Sequence, residues 1–426
     1  MRLDIVTSLL SSNRRPASVE AQEGPLLALL DAAVSKAFSA LCRPVQKNLA
    51  VLTVAFLRVL GAVRSGHGQL SLAALFRVLP TPGTPHAREK RLHRFLHNPR
   101  LDPRSVTDGL ARLIFGSRGR GLWPILFDQT KAGATQALFA GVPFQGRALP
   151  LAVYTFQYPW QEKTARSQNQ LEEVFLADIE TALPARVRPV FIGDRGYARA
   201  ALLRQSNRQG RLYIIRGRAG TRVEYQGRSC KLAELPGEDR RAIRYPRVLY
   251  QARERVPVDV VVYHDPEFQE PWWLLVPSQS SALLPVRAVV ALYRERMQVE
   301  QSFRDFKTHL GLRGLRLKVN IAERTGRLLL AFTMAYCLAL LLGVSREAEK
   351  ARQDLEIPRR RPRHGSCRTL SVLYVALAML SHPRWRERAQ VQLQFLVGWV
   401  AAGRSLLRRA PPHGCVSSQR RCLKSP

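Results

Sequence analysis

The residues from Tyr293 to Lys307 read YRERMQVEQSFRDFK, and four of them have types and spacing suited to phosphate chemistry. Arg296, Glu300 and Lys307 follow Tyr293 at offsets of three, seven and fourteen. On an uninterrupted helix, at about 100° per residue, the four share an arc of roughly 60°. One face then presents an aromatic hydroxyl, two cations and a carboxylate. With a rise of ~1.5 Å per residue Lys307 stands roughly 21 Å from Tyr293, which lets the face follow several phosphates while Glu300 points at a single one. The alternative for such a helix is a charged face that is only solvated.

Two further acids stand where strands would hold them. The apolar run LWPILF (122–127) leads straight into Asp128, and RPVFIG (188–193) ends on Asp194. An acid at the tip of a buried strand is a helix cap, a turn former or a ligand carried on rigid scaffold. Between the two lie candidate strands TQALFAGVPF and RALPLAVYTF and an amphipathic helix, SQNQLEEVFLADIETAL, opened by Ser167. Strand, strand, strand, helix, strand is the order with which an RNase H-like domain begins. In such a domain the first and fourth strands are neighbours at the sheet centre, so Asp128 and Asp194 can converge although distant in sequence. With Glu300 they would form three carboxylates that repel one another unless divalent cations lie between them. Oxygen-only ligands suit Mg²⁺ or Mn²⁺, and two such ions roughly 3.5 to 4 Å apart activate the attacking oxygen and stabilise the leaving one in in-line phosphoryl displacement.

Around this core the chain changes texture. Its first hundred or so residues carry apolar positions at three-to-four spacing in PLLALLDAAVSKAFSAL, VQKNLAVLTVAFLRVLGAV and QLSLAALFRVL. PHAREKRLHRFLHNP follows, with Arg88, Lys90, Arg91 and Arg94 making either a DNA-contacting helix or a solvated basic face. NPRLDPRS reads as a linker. Beyond Asp194 come a short helix (YARAALLRQSN), a fifth strand (RLYIIRGR) and a β-rich stretch from about 219 to 278 with the character of an insertion. The expected division is a helical DNA-binding domain over 1–115, an RNase H-like α/β catalytic domain over 116–350, and a basic helical C-terminal region with a disordered tail over 351–426.

The 67 basic and 32 acidic residues give a formal net charge of +35, which calls for a polyanionic partner. Nucleic acid is the first candidate; an anionic membrane is less suitable, because the basic residues do not cluster beside an apolar anchor. Six scattered cysteines without a C-x-x-C pair suggest reduced cytoplasmic thiols. His364 with Cys367, and His413 with Cys415 and Cys422, match no standard zinc spacing. The start of the chain lacks a signal-peptide apolar region. LLLAFTMAYCLALLLGV (328–344) is near the lower length limit of a membrane span; with no second candidate it reads as a buried core helix.

Tyr293-x2-Arg296-x3-Glu300-x6-Lys307 resembles, at every spacing, the YREK signature of DDE insertion-sequence transposases of the IS-four type. Asp128-Gln129-Thr130 is similar to that family's D-x-T, and Asp194-Arg195-Gly196-Tyr197 to its D-R-G-[FY]. The β-rich stretch falls between the second and third acids, as in the family, and the resemblance runs from Leu122 to about Leu317. It implies that Asp128, Asp194 and Glu300 hold Mg²⁺ (or Mn²⁺) for cutting at element ends and joining the freed 3′-hydroxyl to target DNA. It further implies that Tyr293, Arg296 and Lys307 hold phosphates and that the protein acts as a homodimer on terminal inverted repeats. Trp272 and Trp273 correspond in region to a family Trp that stacks near a flipped base; the alternative is that they fill the core beneath the insertion, and neighbours on a strand face opposite ways.

Overall fold

The computed structural model describes residues 19–64, 70–116, 119–132, 135–157, 167–312, 321–356 and 370–407. The His364/Cys367 and His413/Cys415/Cys422 groups and the expected disordered tail lie outside the described residues.

Five helices come first: α1 (Val19–Ala37), α2 (Arg43–Arg64), α3 (Leu72–Arg77), α4 (Pro85–His97) and α5 (Pro103–Phe115). Their starts follow local chemistry. Ser71 and Thr84 accept backbone N–H bonds at the first turns of α3 and α4, and Asp102 caps α5 with Pro103 at its first position. The expected linker NPRLDPRS is therefore short, because its last residues already belong to α5.

Next come β1 (Gly121–Ala132), β2 (Thr135–Phe144), β3 (Arg147–Gln157), α6 (Gln168–Ala182) and β4 (Val187–Gly193). Gln145 and Gly146 join β2 to β3 with φ of 52° and 80°, the doubly positive geometry of a two-residue type I′ hairpin. Ser167 opens α6 through a capping box with Gln170. Then follow α7 (Ala200–Arg208), β5 (Leu212–Arg216), β6 (Arg222–Tyr225), β7 (Arg228–Lys231), β8 (Ile243–Tyr250), β9 (Val256–Tyr263) and β10 (Trp272–Pro277).

All ten strands form one sheet in the order β3-β2-β1-β4-β5-β10-β9-β8-β6-β7. β1, β4 and β5 are parallel, and β2 and β3 run antiparallel at one side, which is the RNase H-like arrangement of an α/β core. The β-rich stretch continues the same sheet, because β10 pairs antiparallel with β5. The central strands are nearly continuous apolar runs, with Ile125, Leu126, Val190 and Ile192 fully buried, as parallel strands covered on both faces require.

The remaining helices are α8 (Val286–Arg294), α9 (Met297–Arg304), α10 (Ala322–Gly343), α11 (Arg346–Leu355), α12 (Val372–Ser381) and α13 (Pro383–Ala401). α10 is apolar almost all round and packs on β2, β3, α2, α4, α5 and the three helices that follow it. Both α10 and the stretch Arg43–Val63 are long and apolar enough to cross a membrane, so the described residues hold two such segments, not one; 94% and 78% of their apolar windows are buried inside the protein.

Candidate active site

The β1/β4 ladder ends with Leu126 opposite Ile192. Asp128 and Asp194 each lie two residues beyond that pair; Asp194 stands just past the end of β4, beside the strand that carries Asp128. Asp128 is not at a strand tip, however. β1 runs on to Ala132 because β2 keeps pairing with it, with Asp128 opposite Phe139. Asp194 does cap a turn: its Oδ1 accepts the Gly196 N–H at 2.7 Å at the start of a short 3₁₀ turn, Arg195–Tyr197.

The third acid arrives on a helix that is not continuous. α8 ends at Arg294 and α9 starts at Met297, because Arg296 N bonds Tyr293 O and Gln298 N bonds Glu295 O, overwinding the turn between them. After α9 the residues Asp305–His309 widen into a π-helical turn, closed by Leu310 N to Asp305 O at 2.9 Å. The ideal arc expected for Tyr293, Arg296, Glu300 and Lys307 is thus broken twice. Tyr293 turns inward and is buried, with its ring edge-on to Trp272 at 5.0 Å. Burial pushes its phenol above the usual range.

Arg296 takes the centre. Its guanidinium lies 2.5 Å from Glu300 Oε1 and 3.9 Å from Asp128 Oδ2, and packs over the Tyr293 ring. Burial pushes Asp128 up to about 6, and the charges of Asp194 and Glu300 add to the rise, while the Gln129 N–H and Arg296 oppose it. The three acids therefore share one electrostatic field. Lys307 borders an apolar cleft with Thr130 and Lys131, which brings it to the far end of β1.

The other expected contacts divide. Trp272 and Trp273 are 8% and 6% exposed; Trp272 packs among Tyr263, Phe268 and Tyr293. On α4, Lys90 and Arg94 are exposed beside His86, Glu89, His93 and His97. Arg88 is tied to the carbonyls of Thr81 and Arg77, and Arg91 donates to Asn48 Oδ1 at 2.7 Å.

Residues that the sequence did not single out surround the acids. Gln129, next to Asp128, accepts from Gln168, which also donates to the buried Glu172; Glu172 pairs with Arg199. Behind Glu300, Gln298, Ser302 and Asp305 bind the β2–β3 end of the sheet. The available signal was a polar stripe at spacings of four and three on the side of the helix opposite Glu300.

A hard divalent cation fits the donor types. All three are oxygen-only donors, the charges of Asp194 and Glu300 add to the raised proton affinity of Asp128, and the buried Tyr197 hydroxyl has no hydrogen-bond partner while Asp128, Glu172 and Asp194 act on it. Yet among the described residues no three His, Cys, Asp or Glu side chains are gathered closely enough to share one ion. Arg296 supplies the positive charge between Asp128 and Glu300 in this arrangement.

The family described as the transposase DDE domain matches residues 163–338, a span that includes Asp194, Arg296, Glu300 and Lys307 and begins after Asp128. A solved structure of piggyBac transposase, in a synaptic complex with hairpin DNA, aligns over 89% of this chain and 81% of that one at 8% identity, with a TM-score of 0.42. No curated protein matches the sequence.

Proposed function

We propose that the protein is a transposase that binds the ends of its own mobile element and catalyses divalent-metal-dependent cleavage and strand transfer of DNA. The observation that carries this reading is that Asp128, on β1, and Asp194, just past the end of the neighbouring β4, share one electrostatic field with Glu300. The match of residues 163–338 to the transposase DDE domain supports it independently.

In this reading Asp128, Asp194 and Glu300 hold Mg²⁺, for which Mn²⁺ can substitute. The ions supply Lewis acidity at the scissile phosphate and a more acidic attacking oxygen. The chain's own residues do the rest. Arg296 neutralises Asp128 and Glu300 before DNA arrives and is the guanidinium best placed to take a phosphate oxygen in their stead. Lys307 holds a second phosphate from the far end of β1. Tyr293 orients Arg296 from beneath. Lys90 and Arg94 contact DNA from α4, and a homodimer brings two terminal inverted repeats together and engages target DNA.

A second reading, a DNA-binding relative without catalysis, draws on the absence of a gathered three-ligand cluster among the described residues. One assay separates the two. Labelled DNA carrying the terminal repeats that flank the reading frame is incubated with Mg²⁺ and the wild type or Glu300→Gln. Cleavage and joining by the wild type alone, with DNA binding retained by the variant, is the expected outcome. Tight binding without cleavage in Mg²⁺ or Mn²⁺ would favour the second reading.

A further inference from the structure

On α9, Gln298, Ser302 and the following Asp305 lie at offsets of zero, four and seven, so they form one stripe, and Glu300 lies roughly 140–160° round the helix from it. Each stripe residue is bonded to the β2–β3 hairpin or to a helix behind it. Gln298 Oε1 accepts the Phe144 N–H at 3.0 Å. Ser302 Oγ accepts the Ala148 N–H at 2.8 Å and the Tyr336 hydroxyl at 3.3 Å. The Asp305 carboxylate, almost completely buried, pairs with Arg147 and accepts from Tyr336 at 3.0 Å. Arg147 in turn donates to Gly146 O within the hairpin turn.

These bonds tie the back of α9 to the hairpin whose β2 strand is paired through Phe139 with Asp128 itself. The path from Glu300 to Asp128 thus runs through Ser302, Ala148, the β3/β2 ladder and Phe139, with a buried ion pair locking one end. On the other side of the helix the Glu300 carboxylate is held by Arg296.

We propose that Gln298, Ser302 and Asp305, with Arg147, are positioning residues that set where Glu300 stands relative to Asp128 and so determine how well the acids take a divalent ion. This rests on the function proposed above. Supporting groups behind metal ligands typically govern affinity or activity by about 10–100-fold.

The test uses the full-length protein and Mn²⁺ alone as probe. Free Mn²⁺ is followed by electron paramagnetic resonance during titration of wild type, Ser302→Ala, Ser302→Thr and Gln298→Leu, with the thermal midpoint of each variant recorded. Ser302→Ala and Gln298→Leu are expected to weaken Mn²⁺ binding by about 10-fold or more at temperatures where they are fully folded, and Ser302→Thr, which keeps the accepting oxygen, to bind as the wild type does. A lowered midpoint with unchanged Mn²⁺ affinity in both weakened variants would show the stripe to be structural only and overturn the proposal. A folded wild type that takes up no Mn²⁺ would instead overturn the metal-dependent reading beneath it, and the wild-type titration alone tells the two failures apart.

Discussion

Asp128 keeps its proton to about pH 6 because its carboxyl is buried and faces two other acids. Its folded-state value lies above the unfolded one of about 3.9, so the folded protein binds this proton more tightly. The stabilisation from holding the proton is complete at low pH and is lost as pH rises towards 6 and beyond. Asp128→Asn should therefore be more stable than the wild type at pH 8, by about 2–3 kcal/mol, with the difference vanishing near pH 4. Melting curves at the two pH values check this; equal midpoints at pH 8 would mean that the acids do not strain the fold. The gain at Asn is the stability the protein gives up to keep a carboxylate among carboxylates, as functional sites commonly do.

At the level of elements, α4 offers the sharpest separation. Lys90 and Arg94 stand in solvent, whereas Arg91 is half-buried and bonded to Asn48 on α2. The double change Lys90→Ala/Arg94→Ala should weaken DNA binding while leaving the melting temperature unchanged. Arg91→Ala should destabilise the fold by about 1–3 kcal/mol through the bond lost by Asn48. Fluorescence anisotropy beside thermal melts reads both, and a loss of stability in the double change would reverse the assignment. Elements of this kind were legible where the chemistry is local: Ser167 announces α6, and apolar runs announce β1 and β4. The run LWPILF could not reveal that β1 continues through Asp128, since Gln129 to Ala132 are polar enough to read as a turn and become strand only because β2 pairs with them. Nor could fifteen residues of helical periodicity show a tightened turn at Arg296 followed by a widened one at Asp305. The widened turn coincides with the buried pair of Asp305 and Arg147, which are 158 positions apart in the chain, and no local pattern carries that.

For the molecule as a whole, a net charge of +35 remains even if every acidic residue is paired within the protein. If the counter-charge is DNA, affinity should fall steeply with salt. Six to ten phosphate contacts correspond to a loss of about 10³–10⁵ between 50 and 200 mM, measurable on a random duplex across a salt series. A flat dependence would mean that DNA is not what the charge serves. α10 lies against the sheet, against α2 and α4 of the N-terminal helices, and against α12 and α13 near the C-terminus. The face of α2 that α10 and α12 cover is therefore completed only by residues that follow much later in the chain. A reading-frame slip anywhere before 322 yields a product whose α2 and α4 have lost that support, so a shortened chain would be cleared as misfolded protein; under the function proposed above, it would not linger as a competitor for DNA ends.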